Sequence, residues 1–493
     1  MLSWTVYSSF IGAAICALWP QLSPEGTRRA ALGTAIVGFI AALGSCLQYD
    51  TTAQETVQFI SKSPWIPALG IDFHLGADGI SLTLVLLTGL AAITGILFSW
   101  NIESRSREFF AFFLTLIGGV YGVFISFDLF LLFVFYEIAI IPKYFLIAIW
   151  GSTRKEYGAM KLVLYSFIGS ALVLVGLLAT FVEAGATSFN LLELINHPFP
   201  KEFQTWAFPV TFIGFAILAG LWPFHTWAPT GHVAAPTGAS MLLAGVVMKL
   251  GAYGALRFPM TLFPMGLAEW REELALLAVI GIVYGAGVAL VQRDFKYVIG
   301  YSSVSHMGFV LLGLMATSEV GLSGAVLQMF SHGILASLLF GVVGRMIYSR
   351  THTRDLTELE TMQLAKKLPF AAGCFVIAGF AGMGMPGFSG FVAELQVLIG
   401  AWNTFPTLAI CAGVGIVIGV CYTLRAMTRA FYAPKQAFVE PNDQALAPIS
   451  VPEKAGAIIL IIATTVIGLY PRLLLDLIVP SLASPMLEPL IKP

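Results

Sequence analysis

The stretch Gly220–Arg257, GLWPFHTWAPTGHVAAPTGASMLLAGVVMKLGAYGALR, decides the fold. An apolar run ending at Leu221 meets Pro223 and breaks across a segment that holds His225, Pro229, His232 and Pro236. It re-forms as a helix from about Thr237. That second helix carries one internal charge, Lys249, with apolar residues on both sides. A lysine inside a membrane helix costs between about 2.5 and about 10 kcal/mol or more, and is tolerated where it faces a wet or polar interior. Snorkelling to the headgroups is the alternative, but Lys249 sits mid-run, where its stem does not easily reach an interface. The stretch reads as a broken membrane helix followed by a helix with a working cation.

Composition carries the same reading outward. Hydrophobic residues make up 58% of 493 and charged residues 11%, which defines a polytopic membrane protein and not a soluble domain. A net charge of −1 with no long basic tract excludes a nucleic-acid partner or a polybasic lipid anchor. The cysteines, Cys16, Cys46, Cys374, Cys411 and Cys421, lie scattered in apolar runs without metal or disulfide spacing, so packing is their expected role. No connection is long enough to bury a core of its own, so chemistry that needs a large cofactor site must reside elsewhere.

Windows of about 20 apolar residues predict fourteen spans, at about 2–19, 30–48, 80–100, 109–126, 129–150, 159–183, 206–222, 237–258, 273–292, 296–316, 320–348, 369–403, 407–432 and 455–475. Lysine and arginine concentrate on alternate connections: Arg28 and Arg29, Arg105 and Arg107, Arg154 and Lys155, Arg293 and Lys296, Arg350 to Lys367, then Lys435 and Lys454. All follow odd-numbered spans, so both termini are expected outside. The opening MLSWTVYSSF lacks a basic n-region, so the first helix is expected to stay uncleaved. A second break is predicted at GMGMPGFSGF, Gly382–Phe391, before a helix that resumes toward Glu394. Two broken helices in two halves suggest inverted repeats, although an ordinary proline kink reads the same way in sequence.

The ionisable residues within apolar spans are few: Asp128 at the head of its helix, Glu137, Lys143, Lys161, Lys249, His306, His332 and Glu394. Each needs a partner or water. Desolvated acids and lysines can exchange a proton near neutral pH where exposed ones would not. In YSSVSHMGF, Ser302 shares a helix face with His306, and His332 repeats the theme in MFSHGILAS one helix later. His225 and His232, seven residues apart without a nearby acid or thiol, do not read as a zinc site. They are expected to line a proton intake or cap broken helix ends.

Several of these segments resemble one known family. FDLFLLFVFYE (Phe127–Glu137), WPFHTWAPTGHVAAPT (Trp222–Thr237), MKLGAYG (Met248–Gly254), QRDFKYVIGYSSVSHMGF (Gln292–Phe309), FSHG (Phe330–Gly333), HTRDL (His352–Leu356) and PGFSGFVAE (Pro386–Glu394) resemble the antiporter-like membrane subunits of respiratory complex I. In combination they look most like the M-type subunit of bacterial NADH:quinone oxidoreductase. The resemblance implies an all-α fold of about fourteen transmembrane helices with two inverted five-helix repeats and two broken helices. It divides the chain into 1–108, 109–258 (first repeat), 259–433 (second repeat) and 434–493. It implies a mid-membrane polar line in which Glu137, Lys249, His306, His332 and Glu394 carry protons, with Lys161 matching a further family lysine. It also implies that NADH, FMN, iron-sulfur clusters and quinone bind partner subunits, and that L-type and N-type subunits are neighbours in a bacterial inner membrane. One position departs: the family lysine on the broken seventh helix appears here as Leu218, while Lys143 stands where an apolar residue is expected.

The expected function is proton translocation within an NADH:quinone oxidoreductase. The alternatives are a related cation/proton antiporter or membrane-bound hydrogenase subunit, a solute transporter using the broken helices, and a structural spacer with an interrupted proton path. Ala219, Gly220, Leu221, Met383 and Met385 offer a solute little to bind.

Overall fold

The computed structural model describes residues 1–53, 55–433 and 446–491. Among them twelve helices are long and apolar enough to cross a membrane, and Trp4–Leu18 and Pro369–Gly382 are shorter apolar helices. In chain order the elements are α1 (Trp4–Leu18), α2 (Pro24–Gln48), β1 (Gln58–Ile66), β2 (Ile71–Ala77), α3 (Gly79–Phe98), α4 (Ser106–Ile125), α5 (Leu129–Trp150), α6 (Lys155–Glu183) and α7 (Lys201–Ala219). There follow α8 (Trp227–Ala234), α9 (Thr237–Met260), α10 (Pro264–Val291), α11 (Phe295–Met315), α12 (Glu319–Thr351), α13 (Pro369–Gly382), α14 (Ser389–Thr404), α15 (Pro406–Phe431), α16 (Val451–Leu469) and α17 (Arg472–Leu482).

Helix starts are set by acidic and hydroxyl caps, because the first amides of a span have no intrahelical acceptor. Asp78, Asp128, Asp294 and Ser318 accept from the amides of Ser81, Leu131, Lys296 and Gly321. Asp128 is thus a cap and not an interior charge, and its second oxygen accepts from the amide of Asp72 at 3.0 Å, tying β2 to α5. The innermost helices are α3, α9, α11 and α12; α2, α6, α15 and α16 present the most surface.

Both breaks fall where Pro and Gly placed them. Helix α7 ends on Gly220 with φ +87°, a left-handed conformation in which a residue with a side chain would be strained. The indole of Trp227 donates to the freed carbonyl of Ile217 at 2.8 Å, and Ser240 Oγ donates to His232 O at 2.7 Å.

Three expectations need correction. The fold is mostly but not wholly α, because β1 and β2 pair antiparallel across the turn Pro67–Gly70 in a connection read as irregular. Helix α10 starts at Pro264 and not near residue 273: charged Glu269, Arg271, Glu272 and Glu273 ended the apolar window but sit on a helix that extends beyond it. Likewise α7 reaches back to Lys201. Lys435, counted among the basic connections, lies outside the described residues.

Candidate functional site: a buried lysine, histidine and glutamate line

Helices α9, α11, α12 and α14 build one polar line. A π-helical turn, Leu243–Val247, loosens α9 just before Lys249. The Lys249 ammonium donates to the carbonyl of Ala244 at 2.5 Å and lies 2.9 Å from Nδ1 of His332 on α12. With an ammonium donating, His332 Nδ1 accepts and its ring proton sits on Nε2. That ring stacks on His306 of α11, with centroids 5.4 Å apart and planes 26° from parallel. His306 Nδ1 is 3.1 Å from Oε1 of Glu394 on α14, and Gln328 Nε2 of α12 lies 3.4 Å from each. Glu394 hangs over the second break: its Oε2 stands 2.9 Å from where a Cβ would project at Gly384, whose φ is +70°. All of these side chains are buried. The line joins four groups that can each hold or release a proton, and a proton crossing between the two rings needs a ring rotation or an intervening water.

Glu137 and Lys143 on α5 are arranged differently. Neither makes an ion pair within 4 Å among the described residues, and Lys143 Nζ and Glu137 Oε1 have no hydrogen-bond partner there. Six residues rotate a helix by about 600°, so the two side chains do not share a face. Lys143 is 1% exposed, which rules out snorkelling to the loop at Arg154. It shares a face with Tyr136, two turns earlier, whose ring meets Phe215 of α7 edge-on with centroids 5.6 Å apart. Leu218 lies one turn beyond Phe215, and its carbonyl carbon backs onto Gly251 of α9. Lys161 is not Glu137's partner either: its Nζ donates to Thr230 Oγ1 at 3.4 Å and sits 5.8 Å from the Tyr157 ring.

The serines expected beside His306 turn elsewhere. Ser302 Oγ accepts from Tyr422 OH of α15 at 2.8 Å, and Ser305 Oγ donates to Ile282 O of α10 at 2.9 Å, so both tie helices together. His225 packs against Tyr284, and His232 against Phe340, and all four ring nitrogens lack hydrogen-bond partners among the described residues. Sequence reasoning missed Gln328, an uncharged residue with no periodic signal. It also missed the buried ion pair of Arg257 and Asp78, because each sits at the end of an apolar run and read as a boundary. Glu453, clasped by Arg345 and Arg350 at 2.7 Å each, escaped for the same reason.

Membrane helices broken at two places, packed round a line of buried ionisable side chains, define a polytopic membrane protein with a polar interior. Residues 126–419 match the family NADH:quinone oxidoreductase/Mrp antiporter, TM, and the chain belongs to that family. It is 35% identical to NADH-quinone oxidoreductase subunit M of Rhodobacter capsulatus over 98% of this chain and 96% of that one. It superposes on a chain of respiratory complex I from Thermus thermophilus with a TM-score of 0.90, at 27% identity over 99% of this chain and 100% of that one. A chain of the Mrp complex from Dietzia sp. shares the fold, with a TM-score of 0.84 at 20% identity over 99% of both.

Proposed function

We propose that this chain is the M-type proton-translocating subunit of a bacterial NADH:quinone oxidoreductase. The contiguous run Lys249, His332, His306, Glu394 carries the reading, because it joins four helices by groups that exchange protons and by little else. The subunit works inside a multi-subunit membrane complex. NADH, FMN, iron-sulfur clusters and quinone belong to partner subunits, and L-type and N-type antiporter-like subunits flank it. With the two breaks bridged and α1 and α13 counted, the chain has fourteen spans in a bacterial inner (plasma) membrane with both termini outside. Residues 109–258 and 259–433 form two inverted five-helix repeats, each holding one broken helix, between an N-terminal part (1–108) and a C-terminal part (434–493).

In this mechanism redox events in partner subunits change the charge at one end of the line, and each neighbour responds by taking up or releasing a proton. Glu137, Lys143 and Lys161 serve the first repeat, Lys249 the junction, and His332, His306 and Glu394 the second. Lys143 replaces the cation that Leu218 lacks, since it is a buried lysine on the face of α5 that carries Tyr136, whose ring meets Phe215 one turn before Leu218 on α7. Glu394→Gln tests the assignment. The amide keeps the shape and the contacts to His306 and Gln328 but cannot exchange a proton. Reconstituted complex with the variant is expected to assemble normally and pump fewer protons per NADH oxidised; equal loss of assembly and pumping would make Glu394 structural.

A further inference from the structure

Helix α14 carries Glu394, yet its first turn has no side-chain cap: Phe388 precedes it, after a break in which Gly384 and Gly387 hold φ of +70° and +99°. The turn is held from the side instead. Ser389 Oγ, buried at the head of α14, lies 2.8 Å from Ser331 Oγ of α12 and 3.0 Å from Thr464 Oγ1 of α16, and both of those side chains are buried too. This row of three hydroxyls touches the polar line from two sides. Ser331 directly precedes His332, and Ser389 stands five residues, about 7.5 Å of helix, before Glu394. Beside the row, α16 packs backbone to backbone on the break: a Cβ at Gly468 would fall 2.3 Å from Phe388 Cα and 2.4 Å from Gly387 O. The other end of α16 is fixed. Glu453 in its first turn is clasped by Arg345 and Arg350 of α12, and at Gly456 a Cβ would come within 2.9 Å of the Phe98 ring of α3. The helix is a strut that runs from α12 and α3 to the second break.

We propose that Thr464 is a positioning residue for proton exchange at Glu394: through Ser389 and Ser331 it sets the first turn of α14 against α12 and so holds the carboxylate within reach of His306. Three hydroxyls in a row suit positioning better than adhesion. Replacing both partners of a buried hydrogen bond by apolar groups of the same shape is nearly neutral, so the row adds little stability that alanine and valine would not. What it adds is direction, because a hydrogen bond weakens steeply with distance and angle, whereas apolar helix faces can slide. The contact it guards has little slack. His306 Nδ1 lies 3.1 Å from Glu394 Oε1, and a separation of about 3.6 Å is no longer a hydrogen bond. Helix α16 belongs to the C-terminal part, outside both proposed repeats, so the exchange step is set by a helix that carries none of the line's ionisable groups. The inference rests on the pump reading and adds what keeps its Glu394 step in register.

The test uses the intact complex in liposomes, with protons pumped per NADH oxidised, assembly and thermal unfolding as readouts. Thr464→Val keeps the shape and removes the hydroxyl. It is expected to assemble and to unfold near the wild-type temperature, while the pumping ratio falls at least half as far as in Glu394→Gln. Thr464→Ser keeps the hydroxyl and is expected to pump at the wild-type ratio. Because both changes act on one carboxyl group, Thr464→Val added to Glu394→Gln is expected to lower the ratio no further. The carboxyl stretch that Glu394→Gln removes from the redox-induced infrared difference spectrum is expected to shift in Thr464→Val and to return in Thr464→Ser. A normal ratio in Thr464→Val beside a lowered one in Glu394→Gln overturns the positioning role alone; a normal ratio in both overturns the pump reading. An added loss in the double variant, an unshifted band, or a Thr464→Ser variant as poor as Thr464→Val places the effect elsewhere and overturns the role. Should Thr464→Val fail to assemble, Ser389→Ala takes its place under the same criteria, and failure of both makes the row structural and overturns the proposal.

Discussion

Replacing Lys249 with Met separates a working charge from a structural one. The ammonium is fully buried and its partners, Ala244 O and His332 Nδ1, are both neutral. Burying an ion costs several kcal/mol, and hydrogen bonds from a charged donor return about 1.5–3 kcal/mol each, so the lysine is near break-even. Methionine is similar in length, removes the charge, and strands one polar atom, His332 Nδ1, at about 1–3 kcal/mol. No buried counter-ion is left behind. Lys249→Met is therefore expected to lower stability by no more than about 3 kcal/mol while proton transfer through the line falls by about 10²-fold or more. Thermal unfolding of the solubilised complex gives the first quantity. Pumping per NADH in liposomes gives the second, read as the loss of this subunit's share. A variant that does not assemble, or that pumps at the wild-type ratio, would refute the argument.

Asp78→Asn should behave in the opposite sense. It keeps the cap on α3 but leaves the fully buried Arg257 unpaired, at about 3–5 kcal/mol; assembly should fall, and the double variant with Arg257→Met should recover most of it. Lys143→Met removes a buried cation whose Nζ has no hydrogen-bond partner among the described residues, so assembly should hold or improve. If Lys143 serves Glu137, pumping should fall nearly as far as in Glu137→Gln and return when Leu218→Lys is added. Unchanged pumping in the single variant sinks that pairing.

Much of this was written in the chain. Apolar runs of span length, Pro223 and Gly220, and the Gly-Pro cluster before Ser389 determined where helices run and where they stop, because backbone groups in a membrane are satisfied only within helices and proline and glycine interrupt them. Burial cost alone marked Lys249, His306, His332 and Glu394, since an ionisable group in an apolar span must be compensated by something. What compensates it was not legible. His306 meets Glu394 and Lys249 meets His332 across separate helices, while Ser302 on the face of His306 bonds Tyr422 instead. The 3.6-residue period says which side chains share a face. It does not say which way that face turns when the helix is apolar all round. Rotation and neighbours come from packing, such as Gly251 admitting the backbone at Leu218 and Gly285 that of Ser305. Only tertiary structure could therefore join the four groups into a line and leave Lys143 Nζ without a hydrogen-bond partner among the described residues.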